Sequence, residues 1–500
     1  MRGVVATGHA RVSEAAAAIL RAGGNAFDAA LAAGFAAAVA EPMFTSLGGG
    51  GFMLARTAQA REILFDFFVD TPGRGLPDEQ LEPHFLPTTI HFPASEQIFN
   101  IGMGSVAVPG ALAGFLHVHE RLGRLALDRV VAPATGMARE GVVLNEAQAY
   151  ALALLTPINT LTPDARALFA PGDRTPRPGD RHANADLADF LEALPEAGAR
   201  SLYGGELAQR ISEDMREGGG LLTQEDLAGY RVVERAPLDL AYRGRRVLTN
   251  PPPALGGSLC GFTLQLLAEV APRPPDWGSP AHLRCLSAVM LEVESMREQN
   301  PSVEGVQAPD VIAACSGRVR RSTGGTTHIS VADADGNAAS MTLSNGEGSG
   351  YVAPGTGIML NNMLGEDDLH PDGFHASPAG LRVASMMSPS IVLDGDWVEL
   401  IVGSGGSKRI RTALVQVITA VIDHGMHVRA AVEAPRLHWD GACIQAEPGF
   451  AADALASLER TWRVNRWTER NLYFGGVQAV NPRGEGAGDP RRGGHALVVE

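Results

Sequence analysis

The sequence predicts a layered α+β protein in which helices pack against β-sheets. Three observations support this fold class. The first part of the chain has helical periodicity interrupted by glycines, whereas the residues after 326 alternate between apolar and polar types as strands do. The composition, 45% hydrophobic and 19% charged residues, is typical of a soluble globular protein. A length of 500 residues predicts two packed lobes or one large layered domain.

Helices dominate the first part of the chain. We expect Ser13 to cap a helix that continues through Arg21, and the Ala-rich run 25–40 to form a buried helix. Residues 156–185 are rich in Pro, Asp and Arg and predict a loop. The other elements predicted in this part are a strand over 63–68 and helices over 112–121, 127–138, 186–195 and 205–217.

A β-hairpin is predicted directly after residue 326. Residues 327–331 alternate, Asp335-Gly336 provides a turn, and residues 338–343 alternate again. Strands over 390–394 and 398–402 are expected to precede a long helix over 411–424. Strands followed by a helix fit sheets covered by helical layers.

Charge and cysteine usage exclude several function classes. The net charge of -15 disfavours nucleic acid and anionic membrane surfaces as partners. None of the four cysteines belongs to a CxxC pair, so we expect no metal site, and we predict no cofactor. The longest run of small apolar residues, 29–40, is too short to span a bilayer, and no secretory signal is visible. We therefore expect a cytoplasmic protein.

The junction Gly324-Gly325-Thr326-Thr327-His328 is the most informative stretch for chemistry. A hydroxyl nucleophile needs a base, and a threonine at a new N-terminus carries its own α-amine, with a pKa of about 7.7–8.0. Such an amine is partly neutral near pH 7 and can accept the hydroxyl proton. Cleavage between Gly325 and Thr326 would create it. By itself, the local sequence favours the threonine-rich start of a strand, and the wider sequence reverses this interpretation.

The surrounding sequence resembles the γ-glutamyltransferase family. The run TTHISVADADGNAAS resembles the start of that family's small subunit. The similarity extends in order over nearly the whole chain, through GHARVSEAAAAILRAGGNAFDAALAA, EPMFTSLGGGGFML, VAVPGALAGF, GGGLLTQEDLAGYRVVERAPL, PGTGIMLNN, MMSPSIVL and GSGGSKRIRTALVQVI. Each motif is weak alone, but their number and order make a chance match improbable.

The resemblance implies a self-processing precursor with a four-layer αββα sandwich, the N-terminal-nucleophile hydrolase fold. Residues 1–325 would form a large chain and residues 326–500 a small chain that stays associated with it. Thr326 would attack an amide carbonyl of a small-molecule substrate and form an acyl-enzyme. Water or an amine would then release the acyl group. The oligomeric state is left open.

Several further residues match functional positions of the family. Ser344, in TLSNG, matches a hydroxyl that supports the nucleophile's amine, and Asn345 matches an asparagine that binds the substrate's α-carboxylate. Gly405 and Gly406 match a pair whose backbone N–H groups form the oxyanion hole. The alternatives are a turn at Ser344 and Asn345 and a strand-to-helix turn at the two glycines.

Two further positions match residues that bind the acyl group in the family, one of them beside a lost serine and the other with two possible residues. Ser385 matches the second serine of a Ser-Ser-Met sequence whose first position is Ala384 here. Glu366 or Asp368 would supply the carboxylate that holds a substrate amine, although both could belong to a solvated acidic loop.

One departure affects substrate selection. The family carries an arginine just after the strand predicted over 63–68, where it pairs with the substrate α-carboxylate, but Phe68 stands there in this chain. Either Arg74 or Arg321 replaces that cation, or the substrate lacks the carboxylate. We infer retained amide chemistry with altered acyl specificity.

Three functions stay open at this stage. The first is an amidase or acyltransferase for γ-glutamyl-type amides such as glutathione-like peptides. The second is an acylase of the same fold with a different acyl group, for example a glutaryl type. The third is a homologue that is never cleaved and only binds ligands.

Overall fold

The computed structural model describes residues 1–82, 84–92, 95–299, 326–366, 369–370, 373–374 and 377–500. The strands are β1 (Gly3–Thr7), β2 (Gly50–Arg56), β3 (Glu62–Phe67), β4 (Leu86–Phe92), β5 (Ser95–Ile101), β6 (Val142–Val143), β7 (Arg181–His182), β8 (Val233–Arg235), β9 (Leu238–Tyr242), β10 (Arg245–Thr249), β11 (Thr327–Asp333), β12 (Ala338–Ser344), β13 (Val352–Ala353), β14 (Ile358–Met359), β15 (Ser390–Asp394), β16 (Trp397–Gly405), β17 (Leu437–Trp439), β18 (Ile444–Ala446), β19 (Val464–Arg466), β20 (Gly476–Asn481), β21 (Glu485–Gly488) and β22 (His495–Val499).

The helices are α1 (Ala10–Arg21), α2 (Ala26–Ala40), α3 (Ala111–Leu122), α4 (Leu127–Glu140), α5 (Glu146–Leu154), α6 (Thr156–Asn159), α7 (Pro163–Phe169), α8 (Ala185–Ala197), α9 (Arg200–Tyr203), α10 (Gly205–Glu217), α11 (Gln224–Gly229), α12 (Leu255–Val270), α13 (Pro280–Gln299), α14 (Arg409–Ile422), α15 (Val428–Glu433) and α16 (Ala452–Glu459). Short 3-10 turns cover Asp78–Gln80, Met103–Ser105, Pro171–Asp173, Met363–Gly365, Leu472–Phe474 and Pro490–Arg492.

Two large sheets form the centre of the fold. One has seven strands in the order β22-β1-β11-β12-β2-β3-β8, and the other has six in the order β21-β20-β16-β15-β10-β9. Helices α1, α2 and α3 cover the outer face of the first sheet, and α12, α14 and α15 cover the second. Strands β11 and β12 contact β16 across the interface between the sheets. This arrangement is the predicted four-layer αββα sandwich.

Strand alternation explains the layers. In β1, Val4 and Ala6 belong to the core shared with the second sheet, whereas Val5 belongs to the core under the helices. Helix α2 lies between sheet and outer helices, and every one of its residues is buried. Its alanines permit this close packing, and Gly34 lies where a Cβ would come within 2.7 Å of the Phe115 ring.

Most predicted elements are confirmed, with shifted ends, and two predictions are wrong. His9, not Ser13, caps α1 by accepting from the Arg11 N–H, while the Ser13 hydroxyl donates to the His495 carbonyl at 2.9 Å. Residues 156–185 are not simply a loop, because helices α6 and α7 start there with Pro at an early position. The stretch 318–325 lies outside the described residues.

A polar layer connects the two sheets beneath the start of β11. The His328 ring lies 2.8 Å from the Thr342 hydroxyl and 3.0 Å from that of Ser330. Ser330 and Ser340 donate across to backbone carbonyls of the second sheet at 3.0 and 3.1 Å. Burial lowers the pKa of His328 to about 3, so its ring is neutral at working pH.

Gly403 on β16 faces this histidine, and a Cβ there would overlap the imidazole. We expect Gly403→Ala to lower the unfolding free energy by about 1–3 kcal/mol, because overpacking would push the sheets apart. Thermal unfolding would measure this. The matched control is Gly136→Ala in α4, where a Cβ meets nothing within 4 Å and helix propensity favours alanine. Equal melting temperatures for Gly403→Ala and the parent would contradict the packing argument.

Candidate active site

Thr326 lies at the point where the two sheets and their connecting loops meet. It immediately precedes β11 and is only 3% exposed. It lines a small pocket with about 290 Å³ of empty space. The other residues lining the pocket are Phe68, Ser344, Met363, Glu366, Leu369, Ser385, Met386, Met387, Ser407 and Ile410. Four other predicted site residues, Phe68, Ser344, Glu366 and Ser385, therefore line the same cavity as the proposed nucleophile.

The backbone of the second sheet approaches Thr326 directly at Gly405. A Cβ on this residue would overlap the Thr326 carbonyl group, so only glycine permits the contact. Gly406 has a φ of 127° and Ser407 a φ of 49°, both in the left-handed region. The chain thus turns sharply from β16 into α14 beside Thr326. The predicted Gly-Gly pair lies next to the predicted nucleophile, which an oxyanion-binding role requires.

Ser344 and Asn345 lie at or beside the pocket, as the family resemblance implies, and they also form a turn, which was the alternative interpretation. Ser344 ends β12 and lines the pocket, and its hydroxyl also accepts from the Gly346 N–H at 3.0 Å. Asn345 follows in a turn in which Gly346 has a φ of 63°. Asn345 is buried beside the pocket rather than in its lining, and its Oδ1 lacks a hydrogen-bond partner among the described residues.

The acyl side of the pocket is mainly apolar. Phe68 stacks on Phe52 with ring centroids 5.4 Å apart, and the lining includes three methionines. Glu366 is the charged side chain among the described lining residues, and none of those residues is Lys or Arg. Asp368, the alternative to Glu366, lies outside the described residues, as do Gly325 and Arg321.

The cations near Phe68 are held away from the pocket. Arg74 is 3.8 Å from Asp226 and does not line the cavity. Arg382 contacts the Phe68 carbonyl and lies 3.4 and 3.3 Å from Asp66 and Asp70. Neither therefore replaces the family arginine at the acyl site in this structure.

Two buried charges contact the Thr326–Thr327 segment. Arg492 Nη1 donates to the Thr326 carbonyl at 2.7 Å, and the Thr327 hydroxyl donates to Glu41 Oε2 at 3.2 Å. Burial raises the pKa of Glu41 to about 7, although the Thr327 hydrogen bond and the Arg492 charge oppose the shift. Burial lowers the pKa of Arg492 to about 10, helped by the Arg409 charge.

Comparisons with known proteins agree with this geometry. The model of the family described as Gamma-glutamyltranspeptidase matches residues 12–308 and 297–499. The chain belongs to the gamma-glutamyltranspeptidase family. A glutathione hydrolase proenzyme of Escherichia coli (strain K12) is 32% identical over 98% of this chain and 90% of that protein. An acylase ACY 1 proenzyme of Pseudomonas sp. (strain SE83) is 33% identical over 97% and 90%.

A crystal structure of cephalosporin acylase from Bacillus halodurans has a TM-score of 0.86 and 27% identity, covering 100% of this chain and 96% of that one. The gamma-glutamyltranspeptidase assignment establishes the N-terminal-nucleophile hydrolase fold and an amide-cleaving enzyme. It removes the purely ligand-binding homologue from the three open functions. Both a glutathione hydrolase and acylases are among the relatives, so the acyl group is the remaining question.

Sequence reasoning missed Glu41 and Arg492. Their partners are 286 and 166 residues away, so no local spacing connects them. One signal was present for Glu41, because this carboxylate directly follows the apolar run 29–40 and a buried carboxylate usually has a specific partner. No comparable signal marks Arg492, which follows another arginine near the end of the chain.

The raised pKa of Glu41 has a direct consequence for stability. Because the folded state favours the protonated carboxyl, its contribution to stability is greatest below pH 4.5 and is lost as the pH rises through about 7. Glu41→Gln has no such titration. We expect its melting temperature, relative to the parent protein, to rise between pH 5 and pH 8. Thermal unfolding across this range would measure the difference, and a constant offset would refute the assigned titration.

Proposed function

We propose that this protein is a self-processing amidase in which cleavage of the Gly325–Thr326 bond makes Thr326 the first residue of a second chain. The observation that carries the proposal is the position of Thr326, buried in the pocket with its carbonyl against Gly405. The names of the two relatives, both proenzymes, support processing. The cytoplasmic location stays a prediction.

The proposed reaction follows from the groups around Thr326. Its α-amine accepts the proton of its own hydroxyl as Oγ attacks the amide carbonyl carbon of the substrate. The backbone of Gly405 and Gly406 stabilises the oxyanion that forms, an effect typically worth about 2.7–4 kcal/mol per donor. Collapse breaks the C–N bond, and the leaving amine takes the proton. Water or another amine then attacks the acyl-enzyme ester and regenerates the hydroxyl.

The acyl group that we assign first is γ-glutamyl-type. Glu366 lines the pocket and would pair with the α-amine of such a group. Ser385, which also lines the pocket, would provide a neutral donor for the α-carboxylate. This assignment combines the charge of Glu366 with the glutathione hydrolase relatives.

The second candidate is an acylase for groups without the γ-glutamyl amine and carboxylate pair. The observation that favours it is the apolar lining, with Phe68 stacked on Phe52 and no cation among the described lining residues. A buried carboxylate without a charged partner is costly, so the lining favours an uncharged chain. The relatives named as acylases support this candidate.

Replacement of the nucleophile tests the reaction. We expect Thr326→Ala to stay a single chain of 52.5 kDa and to lose turnover, because both steps need the hydroxyl. Intact-mass spectrometry and an anilide assay would measure both. Thr326→Ser is the matched control: it keeps the hydroxyl and should be cut and active. A Thr326→Ala protein that is cut and active would contradict the assignment of Thr326 as the nucleophile.

Acyl selection is tested with γ-glutamyl, glutaryl and butanoyl anilides. We expect Glu366→Gln to lower kcat/KM for the γ-glutamyl anilide about 10-fold or more, because a charge-assisted hydrogen bond of about 1.5–3 kcal/mol is lost. The other two anilides lack the amine and should not lose rate. If the parent enzyme prefers the butanoyl anilide over the γ-glutamyl one, the second candidate replaces the first.

A further inference from the structure

Two buried charged side chains, Glu41 and Arg492, form hydrogen bonds with the segment that contains the proposed nucleophile. Arg492 is 5% exposed and donates to the Thr326 carbonyl, while Glu41 is 2% exposed and accepts from the Thr327 hydroxyl. The two side chains therefore bind consecutive residues of the chain. We call this pair the Glu41–Arg492 clamp.

Both side chains of the clamp meet at the turn that follows α2, where Glu41 lies and against which Arg492 packs. The Arg492 guanidinium carbon lies 4.8 Å from the centre of the Phe44 ring, and the Phe44 N–H donates to the Glu41 carbonyl at 2.9 Å. The two charges do not form an ion pair within 4 Å of each other, although each lies in the other's field. Their polar contacts go to the Thr326–Thr327 segment instead.

Stability alone does not account for this arrangement. Burying a charge without a close counter-charge is costly, and well-packed apolar side chains often stabilise as much as a buried pair does. Arg492 Nε also has no hydrogen-bond partner among the described residues. Groups held at such a cost beside a reacting residue are candidates for a role in the reaction.

We propose that Glu41 and Arg492 are positioning residues that hold Thr326 against Gly405, and that the Arg492 charge also disfavours protonation of the Thr326 α-amine. This inference rests on the proposed function. The amine and the carbonyl share one Cα, so a cation bound to the carbonyl oxygen lies close to the amine. A nearby positive charge destabilises an ammonium group and keeps the base neutral at a lower pH.

Other charges surround the same amine and contribute to its field. They come from each element packed around the site: Glu41 after α2, Glu347 after β12, Glu366 in the pocket, Lys408 and Arg409 at the start of α14, and Asp489 beside Arg492. Because these charges are of both signs, their effects on the pKa of the amine partly cancel. The effect of one side chain is therefore measured by substituting that side chain alone.

The test is the pH dependence of kcat/KM for the processed enzyme, whose acidic limb reports protonation of the amine. We expect Arg492→Met to move this limb up by about one pH unit and to lower kcat on the order of tenfold, with little change in KM. Arg492→Lys keeps the charge and should keep the limb of the parent. Arg483→Met, which removes an exposed arginine from the turn after β20, is the control and should match the parent throughout.

Two further variants separate charge from position. Glu41→Gln removes the negative charge that the Glu41 carboxyl carries once it has lost its proton, with its pKa raised to about 7, and should move an acidic limb near or above that pH down. Thr327→Val removes only the hydroxyl that Glu41 holds, and should lower kcat without moving the limb. If Arg492→Met is never cut, Glu41→Gln decides the question by the same measurement, with Arg492→Lys as the control that should match the parent.

The outcomes distinguish this inference from the proposed function. A parent protein that is neither cut nor active refutes both. A cut and active parent, with cut variants whose acidic limb and kcat stay unchanged, refutes the clamp and leaves the amidase assignment in place.

Discussion

The contact on which the site depends is the packing of residues 326–328 against three glycines. Gly405 faces the Thr326 carbonyl, Gly403 faces the His328 ring, and a Cβ on Gly8 would lie 2.9 Å from the Thr327 hydroxyl. Gly8 follows β1 of the first sheet, and the other two belong to β16 of the second. The backbone of both sheets therefore packs closely against the start of β11, in addition to the contacts of the Glu41 and Arg492 side chains. A nucleophile held in this way has little freedom to move.

This packing also explains why polar groups are gathered there. Gly403 leaves room for the His328 ring, which contacts the Thr342 and Ser330 hydroxyls of its own sheet. The Ser330 and Ser340 hydroxyls donate to backbone carbonyls of the other sheet. His328 can take this place because burial keeps its ring neutral. The polar layer thus connects the sheets at the reacting residue, while apolar cores on either side supply most of the burial.

The sequence predicted what depends on neighbours along the chain and missed what depends on the fold. The hairpin of β11 and β12 was predictable because strict alternation and an Asp-Gly turn are local signals. Ser13 was assigned the wrong role because a polar residue before an apolar run resembles a cap, yet its hydroxyl serves a contact 482 residues away. Thr326, Gly405 and Phe68 were found through sequence motifs. Glu41 and Arg492 belong to no motif, and only the folded structure shows that they contact the Thr326–Thr327 segment.

The acyl pocket has no cation among its described lining residues, because the nearby Arg382 is held outside the pocket by its ion pairs. Arg382 touches the Phe68 carbonyl, but its guanidinium is shared between Asp66 and Asp70 and lies 5.0 Å from the centre of the Tyr230 ring. Turning it toward a substrate carboxylate would leave the buried Asp70 without its ion-pair partner, a change that typically costs about 3–5 kcal/mol, whereas Asp66 would keep Arg235 at 2.8 Å. Phe68 also keeps its ring against Phe52. The fold therefore resists recruiting this arginine, and acyl selection falls to Glu366 and to the shape of the apolar lining.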